Sequence, residues 1–224
     1  MNSHTDHQAN LSPTALAGST DASPESAGSV ASAPVVLEGS GAAPVAASNP
    51  NPAASSKGTI TLQVTSTPAN AAKNAVAYLE NAPKDREVNG TLDNRQMAFV
   101  PYVVVATAGS KITFTNSDPY PHNVFSPDNE KWDMGVIPSK GARIRKFENS
   151  GVYTALCNMH PNMKAYIVVT PSSYFGKASK TGEIALKDVP SGSYQMVIWA
   201  PGVKTAKQHV TVSGDAALSI ELHR

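Results

Sequence analysis

From Lys57 onward, apolar and polar residues alternate with a period of two over short stretches. Ile112 and Phe114 alternate with Lys111, Thr113 and Thr115, and Val210 and Val212 with Thr211 and Ser213. Ile144 and Phe147 sit among Arg143, Arg145 and Lys146. This pattern predicts strands with one face buried. Turn-forming clusters divide them: Ala108-Gly109-Ser110, Asn116-Ser117-Asp118-Pro119, Asn149-Ser150-Gly151, Pro190-Ser191-Gly192 and Ser213-Gly214-Asp215. Many short strands punctuated in this way predict an all-β chain built of sandwiches. No stretch predicts a helix longer than a few turns.

The pattern stops before Lys57. Residues 1–56 are mostly Ala, Ser, Pro, Gly and Asn without apolar periodicity, and such a segment cannot bury enough surface to offset the entropy of ordering it. It is expected to be a disordered tether. It holds Asp6, Asp21, Glu25 and Glu38 and no Lys or Arg, so it carries −4 in a chain of 224 residues whose formal total is +1. That total offers no general attraction to nucleic acid, which normally needs a dense Lys/Arg surplus. The longest apolar runs, such as Val103 to Ala106 and Ile167 to Val169, fall far short of the roughly 20 residues of a membrane-spanning helix. Met1 is not followed by a charged region and an apolar one, so no secretory signal is visible. His4 and His7 are expected to be solvated tail residues.

The candidate chemistry lies in two short loops. Pro121-His122-Asn123-Val124-Phe125 follows the strand that ends at Thr115-Asn116. Cys157-Asn158-Met159-His160-Pro161-Asn162-Met163 follows the strand Gly151 to Leu156. Together they offer one thiolate, two imidazoles and a thioether, which is the donor set of a type 1 copper centre: two His and a Cys in a trigonal plane, with a weak axial Met. Thiolate and thioether favour Cu(I), and imidazole suits both oxidation states. The Cys-x2-His-x2-Met spacing puts three donors on one tight loop and leaves the fourth to a distant strand end. Any one of these residues has an ordinary explanation, since a single Cys in a β protein is most often a small buried hydrophobe. Four in register weigh against it.

Other chemistries fit less well. Structural zinc usually takes more Cys or His, and Met is not a usual zinc donor. A c-type haem would need Cys-x-x-Cys-His, which is absent. Cys157 and His160, three apart on one loop, are poorly arranged as nucleophile and base. No Gly-rich phosphate loop or paired carboxylates stand out. Met159, between Cys157 and His160, should point away from a metal held by both. Met134, near Trp132, should be packing, and His209 and His223 ordinary strand residues.

These motifs resemble the cupredoxins, the blue copper proteins, over roughly residues 87–171. The loop with Pro161 after its histidine is similar to that of amicyanin rather than the longer one of plastocyanin. The resemblance implies a Greek-key β-sandwich holding one type 1 copper per chain, with His122 as upstream ligand, Cys157 and His160 completing the plane and Met163 axial. It implies that Asn123 hydrogen-bonds across to the ligand loop, and that electrons pass at the exposed edge of His160. It also implies an electron carrier between redox protein partners rather than an enzyme, in the periplasm or otherwise exported from a bacterium. Lys140, Arg143, Arg145 and Lys146 would be either a solvated strand face or a guide for an acidic partner. Relatives of this pattern tend to have His where this chain has Tyr102, so a possible accessory ligand is absent.

Beyond the copper loop, Gly182 to Tyr194 followed by Val197-Ile198-Trp199 resembles the carboxypeptidase regulatory-like modules, small transthyretin-like β-sandwiches. That resemblance carries the alternative function: a structural or binding protein that stores or senses copper. Residues 172–224 are few for an independent sandwich. Gly58 to Val64 and Lys73 to Leu79 resemble the opening strands of the same module. The expected organisation is therefore a tail, 1–56; a β-sandwich made of 57–86 plus 172–224; and a copper domain, 87–171, inserted in it or lying beside it.

Overall fold

The computed structural model describes residues 56–128 and 130–224. The tail expected to be disordered, with His4 and His7, lies outside the described residues except for Ser56. Among the described residues the chain forms strands and one short 3-10 turn. The strands are β1 (Lys57–Thr67), β2 (Val76–Leu79), β3 (Gly90–Arg95), β4 (Ala98–Val100), β5 (Val103–Thr107), β6 (Lys111–Asn116), β7 (His122–Ser126) and β8 (Trp132–Ile137). They continue as β9 (Ala142–Lys146), β10 (Gly151–Leu156), β11 (Lys164–Thr170), β12 (Phe175–Lys177), β13 (Glu183–Pro190), β14 (Gly192–Trp199), β15 (Ala206–Val212) and β16 (Ala216–His223).

These strands make four sheets stacked as layers, with orders β4-β3-β6-β9, β5-β11-β10-β7-β8, β12-β2-β14-β15 and β13-β1-β16. Three apolar cores lie between successive layers. Leu92, Ile112 and Phe114 of the first sheet meet Val104, Ala106, Tyr153, Ala155 and Ile167 of the second. Ala77, Leu79, Met196 and Ile198 of the third meet Ile60, Leu62, Ile184 and Leu186 of the fourth. The middle core joins the two sandwiches: Val103, Val105 and Val168 pack with Val76, Tyr78, Phe175 and Trp199. Strand β5 is consequently buried along its whole length. That explains its unbroken apolar sequence, since a strand covered on both faces has no solvent side to mark with polar residues.

Burial follows the alternation most closely in β1, where every second residue from Gly58 to Ser66 is buried. β1 pairs antiparallel with β13, Leu62 opposite Ile184, and parallel with β16, Leu62 opposite Leu218. β2 pairs with β14, Val76 opposite Trp199. The earliest and latest described strands thus share two sheets, while β3–β11 form the other two. The two chain crossings are tied together: the Arg86 N–H donates to Ser173 Oγ at 3.1 Å, and that hydroxyl donates to the Arg86 carbonyl at 2.9 Å.

Two local expectations are corrected. Lys73 and Asn74 belong to the 3-10 turn Ala72–Asn74 and not to a strand, which starts at Val76. The Ala72 N–H donates to Ser66 Oγ at 2.9 Å, so a side chain supplies the partner that a sheet would otherwise provide. Ile144 is 62% exposed, although Phe147 is fully buried. The two are three residues apart, so a period-two strand cannot turn both inward. Arg145 takes the inward position opposite Ile112, its guanidinium 5.7 Å from the Trp132 ring and 5.4 Å from that of Phe147. Of the basic stretch, Arg145 pairs with Glu130 at 3.2 Å and Lys146 with Glu148 at 2.9 Å. Half of its charge is therefore answered within the chain.

Candidate metal centre

The site forms at one end of the sandwich made by β3–β11. Asn116, buried at the end of β6, shapes the loop that follows. Its side-chain amide donates to the carbonyls of Tyr120 and Ile137 at 2.7 and 2.9 Å, and its Oδ1 accepts the Asp118 N–H at 3.0 Å. The chain is delivered into β7 with His122 as its first residue, fully buried. Strands β10 and β11 pair antiparallel, and the loop joining them carries Cys157, His160 and Met163. The Met163 N–H donates to the His160 carbonyl at 2.9 Å, which turns the loop back so that Met163 is buried beside Cys157 in the same core.

His122, Cys157 and His160 converge, their ligating atoms all within 4.8 Å of one another. The Cys157 sulfur lies 4.0 Å from His122 Nδ1 and 3.8 Å from His160 Nδ1, and the imidazole centroids are 4.7 Å apart. Two metal bonds of about 2.0 and 2.3 Å, opened to a trigonal angle, span about 3.7 Å, so these separations fit an ion between the three donors. Cys157 is a buried free cysteine. Met163 is 1% exposed, while Met159 is 42% exposed and turned to solvent. Met134 packs at the edge of the core; His209 and His223 lie exposed on β15 and β16, away from the cluster.

A second ring of contacts holds the donors. Asn123 Oδ1 accepts the N–H of Asn158, next to Cys157, at 2.8 Å, and its amide donates to Asp133 at 2.8 Å. This is the bond to the ligand loop that the resemblance implied. His122 Nε2 lies 2.8 Å from Asp118 Oδ2, so the ring donates there and presents Nδ1 to the thiol. The same buried carboxylate accepts the N–H groups of Gln96 and Met97, in the hairpin between β3 and β4. Burial pushes the Asp118 carboxyl up, but the N–H groups of Met97 and Gln96 and the His122 imidazole outweigh it and hold it below the usual range. Asp93 braces the same loop: its carboxylate accepts the hydroxyls of Thr115 and Ser117 at 2.7 and 3.0 Å.

Sequence reasoning missed Asp118 and Met97. By sequence Asp118 is part of a turn cluster, yet a carboxylate four residues before a candidate metal histidine is a partner that such a ring needs. Met97 carries no comparable signal, because it reaches the site through β3–β4 pairing of Arg95 with Ala98.

The fold and the donor set define a copper-binding β-sandwich. Residues 86–170 match the family model of copper binding proteins, plastocyanin/azurin family. The chain is 37% identical over 78 residues to amicyanin-alpha from Methylorubrum extorquens, covering 33% of this chain and 66% of that protein. It is 30% identical over 89 residues to plastocyanin from Ulva pertusa, covering 35% of this chain and 90% of that one. Among solved structures, amicyanin from Paracoccus versutus matches with a TM-score of 0.34 and 24% identity, covering 40% of this chain and 85% of that one. The chain belongs, through this domain, to the plastocyanin/azurin family of copper-binding proteins. Residues 162–219 match a different family model, polysaccharide lyase family 4, domain II.

Proposed function

We propose that the chain is a type 1 copper protein that carries single electrons between redox protein partners and is not an enzyme. In this reading His122, Cys157 and His160 would hold the copper through two imidazoles and a thiolate, and Met163 would add a weak thioether. The observation that carries it is the convergence of the Cys157 sulfur with the Nδ1 atoms of two histidines from separate segments. Copper held there supplies a Cu(I)/Cu(II) couple, one electron at a time.

The chain's own part is to hold the donors nearly still. Asp118 fixes the tautomer and direction of the His122 ring, and Asn123 anchors the loop at Asn158. Ile137, fully buried and paired with His122 across β7 and β8, keeps water from the inner side. His160 is partly exposed and lines a surface cavity with Pro161 and Asn162, so it is the donor from which an electron can leave to a partner. Export to the periplasm, or another exported setting, is part of the proposal and rests on the cupredoxin resemblance. So is the domain plan, 57–86 plus 172–224 enclosing an inserted 87–171, which is supported by the shared sheets of β1, β2 and β12–β16 and by the Arg86–Ser173 tie. The carboxypeptidase regulatory-like identity of the outer sandwich also stays a proposal.

The test is visible absorption of the purified protein during Cu(II) addition and then ascorbate. One equivalent should produce an intense blue thiolate charge-transfer band that bleaches reversibly. Cys157→Ser should lose the band outright, whereas Met163→Leu should keep it with an altered potential. A colourless one-to-one complex, or equal loss in both variants, rejects the assignment.

A further inference from the structure

The chain has six methionines, and three of them, Met97, Met159 and Met163, line one surface cavity of about 280 Å3 together with His160. They are graded by depth: Met97 is 53% exposed, Met159 42%, and Met163 1%. Met97 and Met159 arrive from unrelated parts of the sequence, the first from the β3–β4 hairpin and the second from the ligand loop.

Met97 is also held there at a conformational cost. Gln96 and Met97 have φ of +54° and +55°, the left-handed region that a tight hairpin turn of this kind normally gives to Asn and Gly. Each such residue is strained, because its Cβ crowds the following carbonyl oxygen. Both N–H groups of this turn are taken by the Asp118 carboxylate, which also holds His122. One buried group therefore fixes the inner imidazole and the outer thioether together. An apolar docking rim would need neither sulfur nor this turn, because any exposed aliphatic side chain would serve.

Thioethers are soft donors that select Cu(I) over hard or borderline ions. We propose that Met97 and Met159, with the exposed side of His160, form a surface Cu(I)-binding site through which the ion enters the buried centre. The inference rests on the copper reading above and extends it to how the ion arrives. Transfer is ligand exchange without change of oxidation state. Cu(I) leaves a donor chelate, binds the two surface thioethers, and moves inward as the Cys157 thiol releases its proton to water and binds as thiolate.

Two measurements test this. In the first, apo protein receives Cu(I) anaerobically from a coloured chelate, and the loss of chelate colour is followed in time. Met97→Leu/Met159→Leu keeps the apolar surface and removes both sulfurs. Its uptake should slow by on the order of tenfold or more, while the blue band after oxidation stays that of the parent; an unchanged uptake rate overturns the proposal. In the second, Ag(I), a redox-inert soft ion, is added to the Cys157→Ser variant carrying 13C-methyl methionine. The Met97 and Met159 methyl resonances should shift first, and a titration that leaves both in place also overturns it. Because that variant lacks the buried thiolate, the surface site stands or falls by these shifts even if the parent never turns blue, in which case the copper reading fails alone.

Discussion

The two sandwiches solve the same packing problem and differ in what they bury. Each has a tyrosine, just after a turn glycine, whose hydroxyl donates to a carbonyl four residues back: Tyr153 to Asn149 at 3.0 Å, and Tyr194 to Pro190 at 2.9 Å. Each packs two twisted sheets over an apolar core. The outer sandwich keeps that core apolar; away from the junction, its buried polar side chain among the described residues is Ser66. The copper sandwich buries hydroxyls such as Thr107 and Ser110 at one end, and Asp93, Asn94, Asn116, Asp118, His122 and Asn123 towards the opposite end, which holds the cluster. Burying such groups costs free energy unless each finds a partner, and these form a chain of bonds from Asp93 through the 117–121 loop to the donors. The buried carboxylates, amides and imidazole are concentrated at this end, whereas the polar side chains buried elsewhere in the sandwich are Ser and Thr hydroxyls.

The strongest way to break this comparison is to damage the apolar body alone. Leu62 is fully buried in β1, the central strand of its sheet. Leu62→Ala should cost about 2–5 kcal/mol through lost contacts and a residual cavity. The blue band of the copper-loaded protein should nevertheless keep its position and intensity. Urea denaturation followed by near-ultraviolet circular dichroism gives the first quantity and visible absorption the second. A moved or weakened band in the folded variant would mean that the outer core shapes the site.

The converse is a change that spares the body and disturbs the centre. Asp118→Asn replaces one carboxylate oxygen by an amide facing N–H donors, so the His122 ring or the Gln96–Met97 turn loses its acceptor. Copper affinity should fall by about 10- to 100-fold, the usual cost of removing a partner from a metal-bound histidine. Competition with a chelator measures it. The urea midpoint of the apo protein should move less than in Leu62→Ala; a larger loss of folding stability than of affinity would make Asp118 mainly a structural residue.

The proposed donors and the strands were legible in the sequence for different reasons. His122, Cys157, His160 and Met163 stand out because their residue types are rare together and three share one loop. Strand β1 stands out because its partners on both sides leave one face to the core and one to less buried positions. Ile144 is apolar but three residues from Phe147, so its strand parity is opposite to that of the buried ring and it faces solvent. Asp118 and Met97 were not legible because their roles come from pairing in space: the first is a turn residue by sequence, and the second becomes a neighbour of His160 when β3 folds back on β4. The junction was half legible, in that the apolar run of β5 announces burial on both faces but names no partner.

The smallest expected effect lies at that junction. Lys177, on β12 of the outer sandwich, donates from its ammonium to the carbonyl of Val103 on β5 of the copper sandwich. Burial lowers the pKa of this ammonium, so the contact spans the two bodies at a desolvation cost. Lys177→Met removes the bond and the cost together and keeps an unbranched chain beside Val103. Much of Lys177 remains in water, so the net change at neutral pH should stay within about 1 kcal/mol. The sign of its pH dependence is fixed by linkage. Between the lowered folded pKa and the ordinary value near 10.4, the unfolded chain binds the proton that the folded one has released, so the parent gains stability as pH rises through that window. The difference between parent and Lys177→Met should therefore move in favour of the parent from pH 8 to about pH 10. Urea midpoints at both pH values measure it. A constant difference would mean that the ammonium is hydrated at the junction and that the apolar contacts of Val103, Val105 and Val168 join the two sandwiches without it.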